Sequence, residues 1–392
     1  MRVVIAPDKF KGSLSAPEVV EHLATGLQAG FGASGLETTR IPVADGGEGT
    51  IDAAIGSGFT RRTASVTGPL GEPVKADFAV RNTEAVIEMA AASGLALLPE
   101  GPTSETAKTA TSIGTGELIR AALDLGCRKI ILGVGGSANT DGGAGVLQGL
   151  GAVFLDKNGN ELPGGGAALA QLKSIDFSNF DVRVEATEFV LASDVDNPLL
   201  GASGAPAIFG PQKGATPDDV AELDAAISNF VEVLSQTTGI EARHAAKAPG
   251  AGAAGGVGYI AIAALKAERR PGIDVVLEFT ELENKLKGAD LVITGEGSLD
   301  EQSLLGKTPM GVSRAAAKAG VPVIAVCGRT TLSAEQLTNA GFLTVHALTD
   351  MENDVQKCIA EAGPLLEQLG KHIGVYLAER TGNPDNKEYL NV

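Results

Sequence analysis

Five short apolar runs in this chain each stop abruptly in a loop rich in glycine and acid. Val3-Val4-Ile5-Ala6 runs into Pro7-Asp8-Lys9-Phe10-Lys11-Gly12-Ser13, and Ile41-Pro42-Val43 into Ala44-Asp45-Gly46-Gly47-Glu48-Gly49-Thr50. Ile130-Ile131-Leu132 leads to residues 133–145, Phe189-Val190-Leu191-Ala192 to Ser193-Asp194-Val195-Asp196-Asn197-Pro198, and Leu291-Val292-Ile293-Thr294 to Gly295-Glu296-Gly297-Ser298-Leu299-Asp300. Such runs have the length of buried strands, and several of the loops lead into helical patterns. A chain with this rhythm is expected to be an α/β protein. In open α/β sheets ligands bind beyond the carboxyl ends of the strands.

The rhythm is not uniform. A helix follows the first loop, opened by Ser15 with Pro17 early and Glu18 three residues on, which is a capping box. A strand over 38–43 and a helix over 51–55 come next. From residue 64 the style changes: residues 64–80 carry Gly68-Pro69-Leu70-Gly71 between two alternating segments, the pattern of a hairpin. Strand patterns follow over 85–88, 130–134 and 189–192, and Thr216 with Asp218 and Asp219 opens a helix over 217–236. Near residue 289 the first style returns, with buried strands expected over 290–294, 321–326 and 342–348. A length of 392 residues exceeds one core of usual size. We therefore expect a Rossmann-like three-layer parallel-sheet domain formed by both chain ends, residues 1–63 and 286–392, with a mixed α/β domain inserted over 64–285; the alternative, two consecutive domains split near 200, fits the shared strand style of the two ends less well. Residues 380–392 read as a loosely held tail.

The formal charge of −17 argues against nucleic acid or an anionic membrane surface as partner, and no apolar run approaches a membrane span. Cys127, Cys327 and Cys358 are far apart and lack metal spacing, as expected of reduced thiols. A soluble, cytoplasmic protein is expected, with a homodimer left open. His22, His244, His346 and His372 lie outside the loops and have no partner at metal spacing, so a Ser-His-Asp hydrolase is not expected.

Glycines let main-chain N–H groups approach an anion, and a helix N-terminus adds partial positive charge. Carboxylates in the same loops would repel phosphate unless a cation stands between them. Mg²⁺ does this with carboxylate, water and phosphate oxygens. With Lys9, Lys11, Lys213 and Lys307 in nearby loops, the set points to Mg²⁺–nucleotide chemistry, because phosphoryl transfer needs positioning and charge neutralisation more than covalent help. Any one of these loops alone reads as a tight turn, and any one Asp as a helix cap; the repetition carries the argument. Two motif matches lack their context. Gly250-Ala251-Gly252-Ala253-Ala254-Gly255 follows Ala248-Pro249 instead of a strand, and Gly306-Lys307-Thr308 has Glu301 where a P-loop needs its first glycine.

Residues 6–15, 44–50, 209–215 and 250–258 together resemble the bacterial glycerate kinases, and the resemblance runs from residue 1 to about 375. It implies ATP- and Mg²⁺-dependent phosphorylation of D-glycerate, usually at the 2-hydroxyl, in a two-domain α/β fold with a cleft between the domains whose closure excludes water. The family loop Ser-Ala-Thr-Asn-Asp stands here as Ser137-Ala138-Asn139-Thr140-Asp141, and the Arg that many relatives have after Gly-Glu-Gly is Ser298, which leaves Lys307 to supply that charge. On this reading Lys11 and Lys213 offset negative charge, Asp45 and Asp194 hold Mg²⁺, and Asp8 or Asp141 accepts the hydroxyl proton. Gly46, Gly47, Gly135, Gly136, Ser137, Gly142, Gly295 and Glu296 line the nucleotide. A hydroxy-acid dehydrogenase lacks a strand-borne dinucleotide fingerprint. A nucleotide-binding regulator without turnover would have little use for so many Lys and Asp residues.

Overall fold

In a computed structural model the chain is described over residues 1–32 and 35–381. It divides into two compact units: residues 1–45, 52–58 and 273 onward form the first, and residues 46–51 and 59–272 the second.

The first unit is built on a five-stranded sheet. In spatial order its strands are Thr344–Ala347, Val323–Thr330, Leu291–Leu299, Arg2–Pro7 and Glu37–Arg40, all parallel. The helix Ala16–Phe31 begins at the Ser15/Glu18 capping box with Pro17 in its first turn. Its Val19, Leu23 and Leu27 pack with Leu366, Leu369 and Ile373 of the helix Ala362–Thr381 onto Val3, Ile5, Ile293 and Ile324 of the sheet. Each full burial of such a side chain contributes roughly 1.5–3 kcal/mol. The two helices meet backbone to backbone. A Cβ at Gly26 would run into the Glu367 carbonyl and one at Gly30 into the Lys371 carbonyl, while Gly370 and Gly374 face the Leu23 and Leu27 carbonyls in return. Glycines four apart lie on one helix face, so this spacing on both helices makes the close crossing.

The second unit holds a six-stranded mixed sheet in the order Glu268–Arg270, Glu188–Ala192, Lys129–Gly133, Glu84–Glu88, Pro73–Arg81 and Thr60–Thr67. The last three strands are antiparallel neighbours, and the others run parallel. A separate antiparallel pair joins Val153–Leu155 to Ser174–Asp176. The core gathers Phe78, Ile87, Leu118, Leu132, Phe189, Phe230 and Tyr259. Tyr259 meets the edge of Phe230 with centroids 6.1 Å apart. The helix Pro217–Thr238 carries the expected cap, with Thr216 and Asp219 bonded reciprocally.

Several limits differ from those read in the sequence. Thr60–Thr67 pairs along its whole length with Pro73–Arg81, Thr60 opposite Val80 and Thr67 opposite Pro73. The second unit therefore takes up the chain at 59 rather than 64, because the hairpin is longer than its alternation revealed. At the other end Ile273 belongs with the first unit, where it fills the space that a side chain at Gly311 would need. The strand expected over 38–43 is regular only over Glu37–Arg40. Pro42 has no N–H to give, yet Ile41 N and Val43 N still donate to Ile5 O and Pro7 O. Residues 382–392 of the expected tail lie outside the described residues, whereas Arg380 belongs to the helix Ala362–Thr381.

The crossing at Gly26 can be tested by Gly26→Ala. Helix propensity alone favours the substitution by about 1 kcal/mol. Overpacking against the Glu367 carbonyl is expected to outweigh it, with a net loss of about 1–2 kcal/mol in urea unfolding; a gain would contradict the crossing described.

Candidate functional site

Two constellations of candidate residues stand out, one in each unit. In the first unit the strand order reverses between Arg2–Pro7 and Leu291–Leu299: the chain leaves one toward Glu37–Arg40 and the other toward Val323–Thr330 on the opposite side. Such a switch point, at the carboxyl ends of the strands, is where doubly wound sheets bind ligands. Asp8 lies there, its N–H donating to the Gly295 carbonyl at 2.8 Å. Its carboxyl group is buried, 8 % exposed. One oxygen accepts from Thr308 Oγ1 at 2.6 Å and the other from the Lys9 N–H at 2.7 Å. Burial, reinforced by the negative charge of Asp45, pushes its pKa up to about 7, even though Thr308 and Lys9 favour the charged form.

Glu296 adds a second buried carboxyl. Burial raises its pKa, Ser303 and Lys307 oppose the rise, and Asp300 and Asp45 add to it. Among the described residues its Oε1 has no hydrogen-bond partner. Asp8, Asp45 and Glu296 thus form an acidic patch in which Asp45 disfavours charge on both of the others. A buried carboxylate oxygen without a donor beside like charges fits a hard cation. Among the described residues no three His, Cys, Asp or Glu side chains gather to ligate a metal by themselves. Mg²⁺ ordinarily takes one or two protein carboxylates and completes its shell with water and phosphate. Lys11 is exposed.

The second unit holds the glycine-rich segment after Lys129–Gly133. Lys213, in the turn Pro211–Lys213, is 2 % exposed. Its Nζ donates to Ser137 Oγ at 2.8 Å and to the Asn139 carbonyl at 2.5 Å. Burial drives the ammonium down to about 7, and the charge of Asp141 partly opposes this. Gly46 and Gly47 pack closely against main chain. A Cβ on Gly46 would lie 2.6 Å from Gly272 Cα, one on Gly133 2.5 Å from Gly46 O, and one on Gly135 3.0 Å from Gly47 Cα. These glycines therefore answer a packing need of their own. Gly136 is exposed with φ +71°, its carbonyl accepting from Leu95 N. Asp194 is exposed, and its Oδ1 accepts from Gly272 N at 3.2 Å.

Three expectations are corrected by this geometry. Asp141 was expected as an alternative to Asp8 in accepting the hydroxyl proton, but it is fully buried and both oxygens are occupied. Oδ2 accepts from Ser112 N, Ser112 Oγ and Gly145 N, and Oδ1 from Asn139 Nδ2 and Gly143 N, at 2.8–3.2 Å. Gly142 was expected to offer its N–H to phosphate; that N–H is spent on the Gly255 carbonyl at 2.8 Å. Gly295 was expected in a loop. The strand continues through it to Leu299, because Val323–Thr330 extends in step, Gly295 opposite Val326 and Leu299 opposite Thr330. Asp300 then caps the helix Glu301–Leu304.

Thr308, Ser112 and Glu88 were not read as site residues in the sequence. Thr308 opens the helix Thr308–Ala319, and the Gly-Lys-Thr triplet, although no P-loop, marked that start. Ser112 carried no signal. Glu88 Oε1 accepts from Gly49 N and Ile51 N at 3.1 and 2.6 Å and so pins the loop that holds Gly46 and Gly47. A cavity of about 440 Å³, lined by Phe177, Phe180, Val184, Phe189 and Leu265 among others, contains none of the expected residues.

Comparison with known proteins bears on what these constellations serve. The sequence profile of the Glycerate kinase family matches residues 3–378. A Bacillus subtilis (strain 168) protein named Glycerate kinase is 43% identical over 376 residues, covering 95% of this chain and 97% of its own. An Escherichia coli (strain K12) protein named Glycerate 2-kinase is 46% identical over 334 residues, 84% of this chain and 86% of its own. A crystal structure from Salmonella typhimurium LT2, provisionally named glycerate kinase 2, is 39% identical and superposes with a TM-score of 0.83 over 98% of this chain and 100% of that one. The α/β fold and the sequence agree, and the chain belongs to the glycerate kinase family.

Proposed function

We propose that this chain transfers the γ-phosphoryl group of ATP to the 2-hydroxyl of D-glycerate, giving 2-phosphoglycerate and ADP. Family membership and the relative named Glycerate 2-kinase support the substrate and the position. The observation that carries the chemistry is Asp8, a buried carboxyl at a sheet switch point with its pKa raised to about 7. A general base works best when its pKa lies near the working pH, and an ordinary aspartate near 3.9 would be a weaker one.

In the proposed reaction the 2-hydroxyl oxygen forms a bond to the γ-phosphorus. The bond from that phosphorus to the β–γ bridging oxygen breaks, and the hydroxyl proton passes to Asp8. Thr308 Oγ1 holds the Asp8 carboxyl through one oxygen and fixes its plane. In the first unit Asp45 would hold magnesium, with Glu296 contributing its unpartnered oxygen; in the second, Asp194 is the proposed carboxylate for the ion. When bound, the ion supplies neutralisation of the charge on the phosphate oxygens. In the first unit the exposed Lys11 is the proposed partner of anionic substrate oxygens; in the second it is the pair Ser137 and Lys213, bonded to each other. Gly136, exposed in its turn, remains a proposed main-chain contact for the nucleotide, while Gly46, Gly47 and Gly135 shape the loop. Buried Cys127, Cys327 and Cys358, all free thiols, suit a reducing cytoplasm.

Incubation with Mg-ATP and D-glycerate, followed by ³¹P NMR, is expected to give 2-phosphoglycerate. The 3-phosphate would shift the proposal to a 3-kinase, and ATP left intact would overturn it. Because Asp8 must be deprotonated to act, kcat/KM is expected to fall on the acid side with a limb centred near 7. Asp8→Asn is expected to abolish this limb and to lower kcat about 10²–10⁴-fold, in protein whose circular dichroism is unchanged. Near-normal turnover would remove Asp8 from the mechanism.

A further inference from the structure

Lys213 and Ser137 meet in a way that assigns them different jobs. A protonated lysine has three N–H donors and no acceptor. Two donors are committed, to Ser137 Oγ and to the Asn139 carbonyl. Ser137 Oγ therefore receives a hydrogen bond from a cation, and its own hydrogen must point elsewhere. Among the described residues that side chain makes no other hydrogen bond. Ser137 is 7 % exposed and follows the exposed turn residue Gly136, whereas Lys213 is 2 % exposed. Ser137 is thus the more exposed residue of the pair, and a hydroxyl whose oxygen accepts from an ammonium is a strengthened donor.

Asp141 completes the arrangement from behind. Its five hydrogen bonds fix the segment between Asn139 and Gly145 to Ser112, the cap of the helix Ile113–Asp124. The carbonyl that receives Lys213 belongs to the same segment. The elements packed against the Lys213 turn are Ser104–Thr109 and Ala205–Phe209. The first brings Glu105 and Lys108, the latter paired with Asp219 at 3.2 Å, and the second brings no charge. The ammonium feels the charge of Asp141.

We propose that Ser137, rather than Lys213, is the group that touches an anionic oxygen of the reacting substrates, and that Lys213 is a positioning residue that turns the Ser137 hydrogen outward and strengthens it. The proposal rests on the kinase reading above. It has a chemical corollary. A neutral Lys213 amine becomes an acceptor and can take the Ser137 hydrogen for itself, which withdraws the donor from the substrate. Burial holds the Lys213 pKa at about 7, so this reversal falls within the working range. Binding of the anion favours the charged lysine.

A double-mutant cycle on the full chain tests this. Ser137→Ala and Lys213→Met are each expected to lower kcat/KM for glycerate phosphorylation by roughly 10²-fold. The double variant is expected to be no worse than the poorer single one, because Lys213 acts only through Ser137. Ser137→Thr, which keeps the hydroxyl, is expected to retain most activity, and the alkaline fall in kcat/KM is expected to disappear in Ser137→Ala. Effects that multiply, or an alkaline limb that survives in Ser137→Ala, would overturn the proposal by giving Lys213 its own contact. A second arm needs no substrate: the ¹³Cε resonance of Lys213 in ligand-free protein is expected to titrate near neutrality, and at lower pH in Asp141→Asn. A midpoint near 10 would overturn the reversal near neutrality even if glycerate were not the substrate, while absent turnover in the unaltered protein would count against the kinase reading alone.

Discussion

A carboxyl group taken out of water has to be neutralised or bonded, and Asp8 is held between the two. Desolvation disfavours its charge, and the neighbouring Asp45 disfavours it further. The hydrogen bonds from Thr308 and Lys9 return only part of that loss. The group is left balanced near neutrality, where a small change in its surroundings decides whether it carries a proton. That balance depends on the fold. Asp8 directly follows the strand Arg2–Pro7, and its main chain is tied to Gly295 of the strand Leu291–Leu299. Two strands almost three hundred residues apart in sequence thus bury one carboxyl between them at the point where the sheet changes direction.

The second unit solves the matching problem for positive charge. Lys213 is buried as deeply as Asp8, and the same loss of hydration pulls its pKa down instead of up. Asp141 does not pair with it directly. It spends its oxygens on Ser112, Asn139, Gly143 and Gly145 and so makes a rigid frame within which the lysine meets Ser137. A cation and an anion that are both buried need donors and acceptors on every side, and the glycines supply them by letting main chain approach main chain. Many of the glycines in this region therefore serve the protein rather than a ligand.

Sequence periodicity was a sound guide to the strands because buried parallel strands are continuous apolar runs. The helices with capping boxes, Ala16–Phe31 and Pro217–Thr238, were equally legible. Less legible were elements held by pairing instead of by pattern. The continuation of one strand through Gly295 to Leu299 looks like a loop in sequence, because glycine and acid there follow the demands of the neighbouring strand and of Glu296. In the site, Asp8 and Lys213 could be named because their loops share the repeated pattern of glycine, acid and lysine and resemble the loops of the family. Asp141 could be named but not understood: spacing says nothing of whether a carboxylate is aimed outward or bonded inward. Thr308 contacts Asp8 across 300 residues of sequence, and no local signal reports such a contact.

The most direct measurement of the central claim is a ¹³C-carboxyl NMR titration of Asp8 in the ligand-free protein. The account expects a midpoint near 7, moved downward by Asp45→Asn, which removes the repelling charge, and upward by Thr308→Val, which removes a donor to the carboxylate. A midpoint near 4, the range of an ordinary aspartate, would contradict it.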